Sequence, residues 1–136
     1  MTLIIDSFAW IEFLSAGRAG PVVRRQLESI QELVTPDLVM AEVARVLGRQ
    51  GVPPRLIEGH LLSMAVLSSV RPIDVGVALE TVRSDQDLRR KARSERLQPP
   101  SFADCVVLSF ARHLGGRILT ADRHFEGLPE TVWIGA

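Results

Sequence analysis

The chain has little of what would announce a specialised architecture. It holds one cysteine, Cys105, in 136 residues, which excludes an internal disulfide and suits a reducing compartment. It has no tyrosine and only seven aromatic residues (five Phe, two Trp), scattered along the sequence, so no run of aromatics offers a platform for stacked bases. No apolar run approaches the ~20 residues that span a bilayer, and no signal peptide is expected. Sixteen basic residues balance sixteen acidic ones, so no net field attracts nucleic acid or an anionic membrane. Lysine is almost absent, Lys91 being the only one. The arginine that replaces it suits bidentate phosphate contacts, although a GC-rich genome produces the same bias. Low-complexity tracts, internal repeats and interdomain linkers are also missing, and the length suits one domain over residues 1–136 with a cytoplasmic location.

What is present is an alternation of short apolar runs with helical patterns. Leu3-Ile4-Ile5 reads as a strand, followed by helices over Phe8–Ala16 and Pro21–Ile30. Leu33-Val34 is a minimal second strand. Thr35-Pro36-Asp37 then opens a helix reaching Arg49, with Thr35 expected as its cap and Pro36 as its first residue. Gly51–Pro54 breaks the chain before a helix over Arg55–Ser69, whose apolar residues cover more than one stripe and so predict burial on two sides, either in the core or against a partner. A third strand is expected at Val70–Ile73, and a helix at Val75–Ala92 that runs into a charged, solvent-facing stretch to Arg96. Phe102 to Leu114 forms the next helix, with Phe102 among its core-facing residues and Gly115-Gly116 ending it. Arg117–Thr120 is a buried strand, and Thr131–Ile134 a last strand at a sheet edge. The pattern predicts an α/β fold, three-layer α/β/α with a mostly parallel central sheet.

Four acids occupy related places in this plan. Asp6 ends the first strand, Asp122 follows a later strand, Asp104 opens the helix leading to it, and Glu42 lies on the helix after the second strand. Ligands in such sheets gather beyond the carboxyl ends of the strands. Carboxylates brought together there repel unless a cation neutralises them, and an all-oxygen donor set favours Mg²⁺ or Mn²⁺ over zinc. An ion of that kind activates water for phosphodiester hydrolysis. Each acid also has an ordinary structural role open to it. Asp6 can cap a helix, Asp104 can complete a capping box with Ser101, Glu42 can pair with Arg45, and Asp122 can form a turn.

Two phosphoryl-transfer alternatives fit less well. A phosphatase of the haloacid-dehalogenase type wants a second Asp where Phe8 stands, and a receiver domain wants a strand-end Lys, whereas Lys91 falls on a helix. A histidine pair is the other route to RNA cleavage, but His60, His113 and His124 offer no clear pair.

Ile4-Ile5-Asp6-Ser7-Phe8-Ala9-Trp10-Ile11, Ala41-Glu42-Val43, and Asp104-Cys105-Val106-Val107-Leu108 followed by Gly115-Gly116-Arg117-Ile118-Leu119-Thr120-Ala121-Asp122-Arg123-His124-Phe125 together resemble PIN-domain nucleases. The likeness spans essentially the whole chain. The size is similar to that of VapC-type toxins. The resemblance implies a metal-dependent endoribonuclease, usually a homodimer, restrained by a VapB-type antitoxin. Asp6, Glu42, Asp104 and Asp122 would form the catalytic, metal-holding site for Mg²⁺ or Mn²⁺. Thr120 and Ser7 would support them by hydrogen bonds. Arg123 and His124 are candidate contacts to the RNA substrate, and His124 is expected to be exposed. The Arg55–Ser69 helix is the candidate antitoxin surface. Cys105 stands where alanine is commoner, and no acid follows Asp122 until Glu126. The alternatives are a PIN nuclease of RNA processing that is not a toxin, and a phosphoryl-transfer or binding domain without nuclease activity.

Overall fold

The computed structural model describes residues 1–29 and 31–135. Among them, five strands form one sheet and six α-helices flank it. The strands are β1 (Thr2–Ile5), β2 (Glu32–Pro36), β3 (Ser69–Arg71), β4 (Arg117–Thr120) and β5 (Thr131–Trp133). The helices are α1 (Ser7–Leu14), α2 (Gly20–Glu28), α3 (Asp37–Arg49), α4 (Pro54–Leu67), α5 (Val75–Glu95) and α6 (Phe102–Leu114). The expected α/β class is what the structure shows, and the sheet is parallel throughout, in the order β3-β2-β1-β4-β5. The predicted Ile30 end of α2 lies outside the described residues.

The order places the most apolar run in the middle. Leu3, Ile4 and Ile5 are fully buried, as a central parallel strand covered on both faces requires. Its register pairs Ile5 with Leu119 of β4 and Ile4 with Val34 of β2. The chain builds outward from β1 through β2 to β3, then returns to build β4 and β5 on the other side. The direction of building reverses between β1 and β4, the position where parallel sheets open a crevice at their carboxyl ends.

α6 is the main core helix, buried continuously from Cys105 to Ala111. Its turn into β4 is tight. Gly115 takes the left-handed conformation (φ 64°) as the C-cap, and a Cβ at Gly116 would lie 2.6 Å from the Thr2 carbonyl oxygen. Only glycine allows that approach to β1.

Several local expectations are corrected. Thr35 is not a cap: it belongs to β2, fully buried, its hydroxyl accepting from the Trp10 indole at 3.0 Å and lying 2.7 Å from the Ser68 hydroxyl. Pro36 holds the N-cap position without a side-chain bond. A buried hydroxyl is satisfied more fully by tying α1, β2 and the end of α4 together than by one amide. The Arg55–Ser69 pattern closes two residues early, because Ser68 turns extended and Ser69 enters β3. Within α4 only Met64 is fully buried, with Leu62 and Val66 exposed, so of the two coverings expected the chain's own core supplies one side only. Phe102, expected in the core, is 65% exposed.

Candidate active site

Parallel pairing of β1 with β4 sets Asp6, one residue past Ile5, beside Thr120, one residue past Leu119. The Asp6 amide lies 3.5 Å from the Leu119 carbonyl oxygen, continuing the ladder. α6 runs back along β4, so its first turn returns to the same end of the sheet and carries Asp104 there. Asp122 follows two residues after β4. Three aspartates far apart in sequence thereby meet at the reversal between β1 and β4.

Each also has its ordinary role. Asp6 is the N-cap of α1, its Oδ1 accepting from the Ala9 amide at 2.9 Å. Ser101 and Asp104 form a complete capping box: the Ser101 amide donates to Asp104 Oδ2 at 2.8 Å and the Asp104 amide donates to Ser101 Oγ at 3.1 Å. Asp122 caps the 3₁₀ turn Arg123–Phe125 through the His124 amide at 2.9 Å. Capping and convergence coexist because both draw an acid to a positive helix end.

The electrostatics mark the cluster as under strain. Burial pushes Asp6 up to about 7, with the charges of Asp122 and Asp104 adding to it and bonds from Thr120 and Ala9 opposing. Asp104 is also raised, first by burial and then by the Asp122 charge, against its bonds to Ser101 and the nearby His124. Thr120 serves twice, bonding Asp6 and accepting from the Asp122 amide at 2.9 Å.

His124 is half-buried rather than exposed. Its Nε2 faces the Gln98 carbonyl oxygen at 2.8 Å and its Nδ1 faces Asp122 Oδ1 at 2.8 Å, with Asp104 Oδ2 at 3.9 Å. A carbonyl can only accept, so Nε2 carries a proton; an ionised Asp122 requires one on Nδ1 too. Burial opposes the cation, but the bonds to Gln98 and Asp122 and the charges of Asp122 and Asp104 outweigh it, and the ring titrates above its ordinary value. Sequence reasoning placed His124 correctly beside Asp122 but had no signal for Gln98, which lies 26 residues away.

Glu42 sits further off, half-buried on α3, lining a cleft of about 360 Å³ with Arg45 and with Ser101, Phe102 and Ala103 at the start of α6. Among the described residues it makes no ion pair, so the anticipated bond to Arg45 does not form. Ser7 is the first residue of α1 and Arg123 is exposed, its carbonyl accepting from Lys91 Nζ at 3.1 Å. The Cys105 thiol, held at about 12 first by burial and then by Asp85, is inert at neutral pH. The basic run Arg89–Arg93 is largely neutralised within α5, Arg89 by Asp85 at 3.0 Å and Lys91 by Glu95 at 2.7 Å.

Ligand atoms of Asp104, Asp122 and His124 lie within 4.8 Å of one another, with Asp6 adjoining. Carboxylate oxygens suit a hard divalent cation, which the His124 ring would join only by giving up its Nδ1 proton, and the raised Asp6 and Asp104 are groups such a charge would ionise. The cluster is consistent with a divalent metal site. A larger surface cavity, about 610 Å³, lies at the opposite end of the sheet, and its Arg112 is already paired, with Asp87 at 2.7 Å and with Glu130 at 3.1 Å. Chemistry, not size, picks the site.

The family model for the PIN domain matches residues 3–130. The chain belongs to the PIN-domain family. PIN domains are a nuclease family, and this one resembles solved VapC toxins over nearly its whole length. DNA-bound VapBC from Salmonella typhimurium is 17% identical with a TM-score of 0.74, covering 98% of both chains. Mycobacterium tuberculosis VapC20, a sarcin–ricin-loop-cleaving toxin, is 15% identical with a TM-score of 0.71, covering 94% of this chain and 95% of that one. A toxin–antitoxin complex from Klebsiella pneumoniae is 16% identical with a TM-score of 0.68, covering 97% of each. At such identities the likeness is one of fold. Among curated proteins, no sequence match to this PIN domain was found. Among the described residues, no helix is long and apolar enough to cross a membrane.

Proposed function

We propose that this PIN domain is a metal-dependent endoribonuclease hydrolysing RNA phosphodiester bonds, and that it is the cytoplasmic toxin of a VapBC-type pair. The observation that carries the reading is the meeting of Asp6, Asp104 and Asp122 at the β1–β4 crevice, where two of the three are held above the usual carboxylate range. Asp6, Asp104 and Asp122 would hold Mg²⁺ or Mn²⁺, with Glu42 further off, in the cleft between α3 and the start of α6. Such an ion, when bound, supplies charge neutralisation at the phosphate and a lowered pKa for water. The chain's own residues set the geometry. Thr120 fixes Asp6, Ser101 fixes Asp104, and His124 fixes Asp122. Ser7 stands beside Asp6 at the start of α1. Arg123, exposed next to the cluster, is the proposed substrate contact; His124 would reach RNA only by releasing Gln98 or Asp122.

The choice of RNA follows the likeness to a toxin that cleaves the sarcin–ricin loop. The proposed VapB-type antitoxin partner follows from likeness to toxin–antitoxin complexes, and the proposed second copy of the chain from the resemblance in sequence to VapC-type toxins. Apolar surface supports the need for partners. Leu62, Val66 and Leu67 line an open groove on α4, and Val75, Leu79 and Val82 form a stripe along α5.

The deciding experiment incubates structured RNA with the purified protein in Mg²⁺, Mn²⁺ or EDTA, beside Asp104→Asn and Glu42→Gln. Cleavage in either metal, abolished by EDTA and by Asp104→Asn and weakened by Glu42→Gln, is expected. Equal cleavage by the parent and Asp104→Asn would refute the assignment.

A further inference from the structure

Phe102 is in a place that core packing does not explain. It is the first residue of α6, two before Asp104, and its side chain is 65% exposed. It forms one wall of the cleft of about 360 Å³ whose other residues include Leu38, Ala41 and Arg45 from α3. Arg45 is exposed and, among the described residues, makes no ion pair or side-chain hydrogen bond, although Glu42 stands one turn before it. The cleft therefore combines an aromatic face, an aliphatic wall and an unpaired guanidinium, with the Glu42 carboxylate on the same lining, and its Ala103 edge is the residue next to Asp104.

A ligand matching those features is flat, apolar on its faces and attached to negative charge. An unpaired nucleobase within a strand has that chemistry, since every base offers a π-face and each carries a phosphate. A base inside a duplex has its faces covered. We infer that the cleft between α3 and the start of α6 receives an unpaired nucleobase of the RNA substrate, stacked on Phe102, with an adjoining phosphate on Arg45. This rests on the nuclease reading above and adds to it the residues that seat the strand. Stacking there sets the neighbouring phosphodiester over Asp104, so the bond cut lies next to an unpaired base.

The test measures fluorescence anisotropy of fluorescein-labelled oligoadenylate and oligouridylate in Mg²⁺, with Asp104→Asn as the uncleaving parent. Phe102→Ala in that background is expected to weaken oligoadenylate binding by roughly ten- to a hundredfold. Phe102→Trp should retain it, and the preference for adenine over uracil should shrink in the alanine variant. Arg45→Gln should weaken both oligomers alike and lower the salt dependence by about one phosphate contact. Unchanged binding by Phe102→Ala would overturn the inference while leaving the nuclease reading intact. So would conversion of a dimer to a monomer by Phe102→Ala in size-exclusion chromatography, which would give the ring to a second copy of the chain. A parent that binds neither oligomer would overturn the inference together with the reading beneath it. The exposure of Phe102 means the variants should keep the fold, which circular dichroism checks.

Discussion

At Asp6, 5% exposed, the fold retains a carboxyl group whose ionisation it opposes. Its folded pKa of about 7 lies above the ordinary 3.8. Between those values the folded state binds more protons than the unfolded chain, so this group makes the protein less stable as pH rises from about 4 to 7. Above pH 7 the full cost is present. Asp6→Asn keeps a competent cap for α1 and carries no charge. It is expected to be more stable than the parent at pH 8, by about 1–3 kcal/mol, with the gain fading toward pH 4, as chemical denaturation at the two pH values would show. Mg²⁺ should raise the thermal midpoint of the parent and lose that effect in Asp6→Asn. Equal stability of the two proteins at pH 8 would mean that water or a neighbouring group already meets the cost of the charge.

α6 is the element in which structure and site are hardest to separate, because one capping box both starts the helix and aims Asp104. The two jobs divide by atom. Ser101 Oγ receives the Asp104 amide, whereas Asp104 Oδ2 is fixed by the Ser101 backbone amide. Ser101→Ala removes only the first bond. Its expected cost is about 1 kcal/mol of stability, with any metal-dependent cleavage kept within a few-fold, measured by thermal denaturation and by the RNA assay. A loss of cleavage as deep as that of Asp104→Asn would show that the hydroxyl, not the amide, sets the carboxylate. The capping box, the glycine turn and β4 were legible in the sequence because each is decided by neighbours within a few residues. Convergence of the aspartates was legible through strand ends and helix starts, which parallel topology gathers at one edge. Thr35 and Phe102 were misread for one reason: their surroundings are built by segments distant in sequence. Trp10 and Ser68 claim the Thr35 hydroxyl, while α3 and α6 leave Phe102 in the open. Helical spacing shows which residues share a face, not whether another element covers it.

On the scale of the whole molecule, the uncovered apolar surface of α4 asks for a partner. Val66 is 85% exposed, so Val66→Asp should change stability by less than about 0.5 kcal/mol. It is nonetheless expected to weaken co-purification with the product of a small adjacent antitoxin gene, and a complex of undiminished stability would move the antitoxin to another face. The pairing of β1 with β4 has a different consequence, one of timing. The central strand comes from the first residues of the chain, yet one of its two neighbours begins only at Arg117. Contacts of such sequence separation are slow to close. As a ribosome releases the chain from its amino terminus, Asp6 emerges more than a hundred residues ahead of Asp122 and has nothing to meet. Until Arg117–Thr120 is free, β1 lacks its β4 edge and the acidic crevice cannot assemble. The order of the strands thus makes the acidic cluster a late product of folding, one that waits on β4 however early β1 is released.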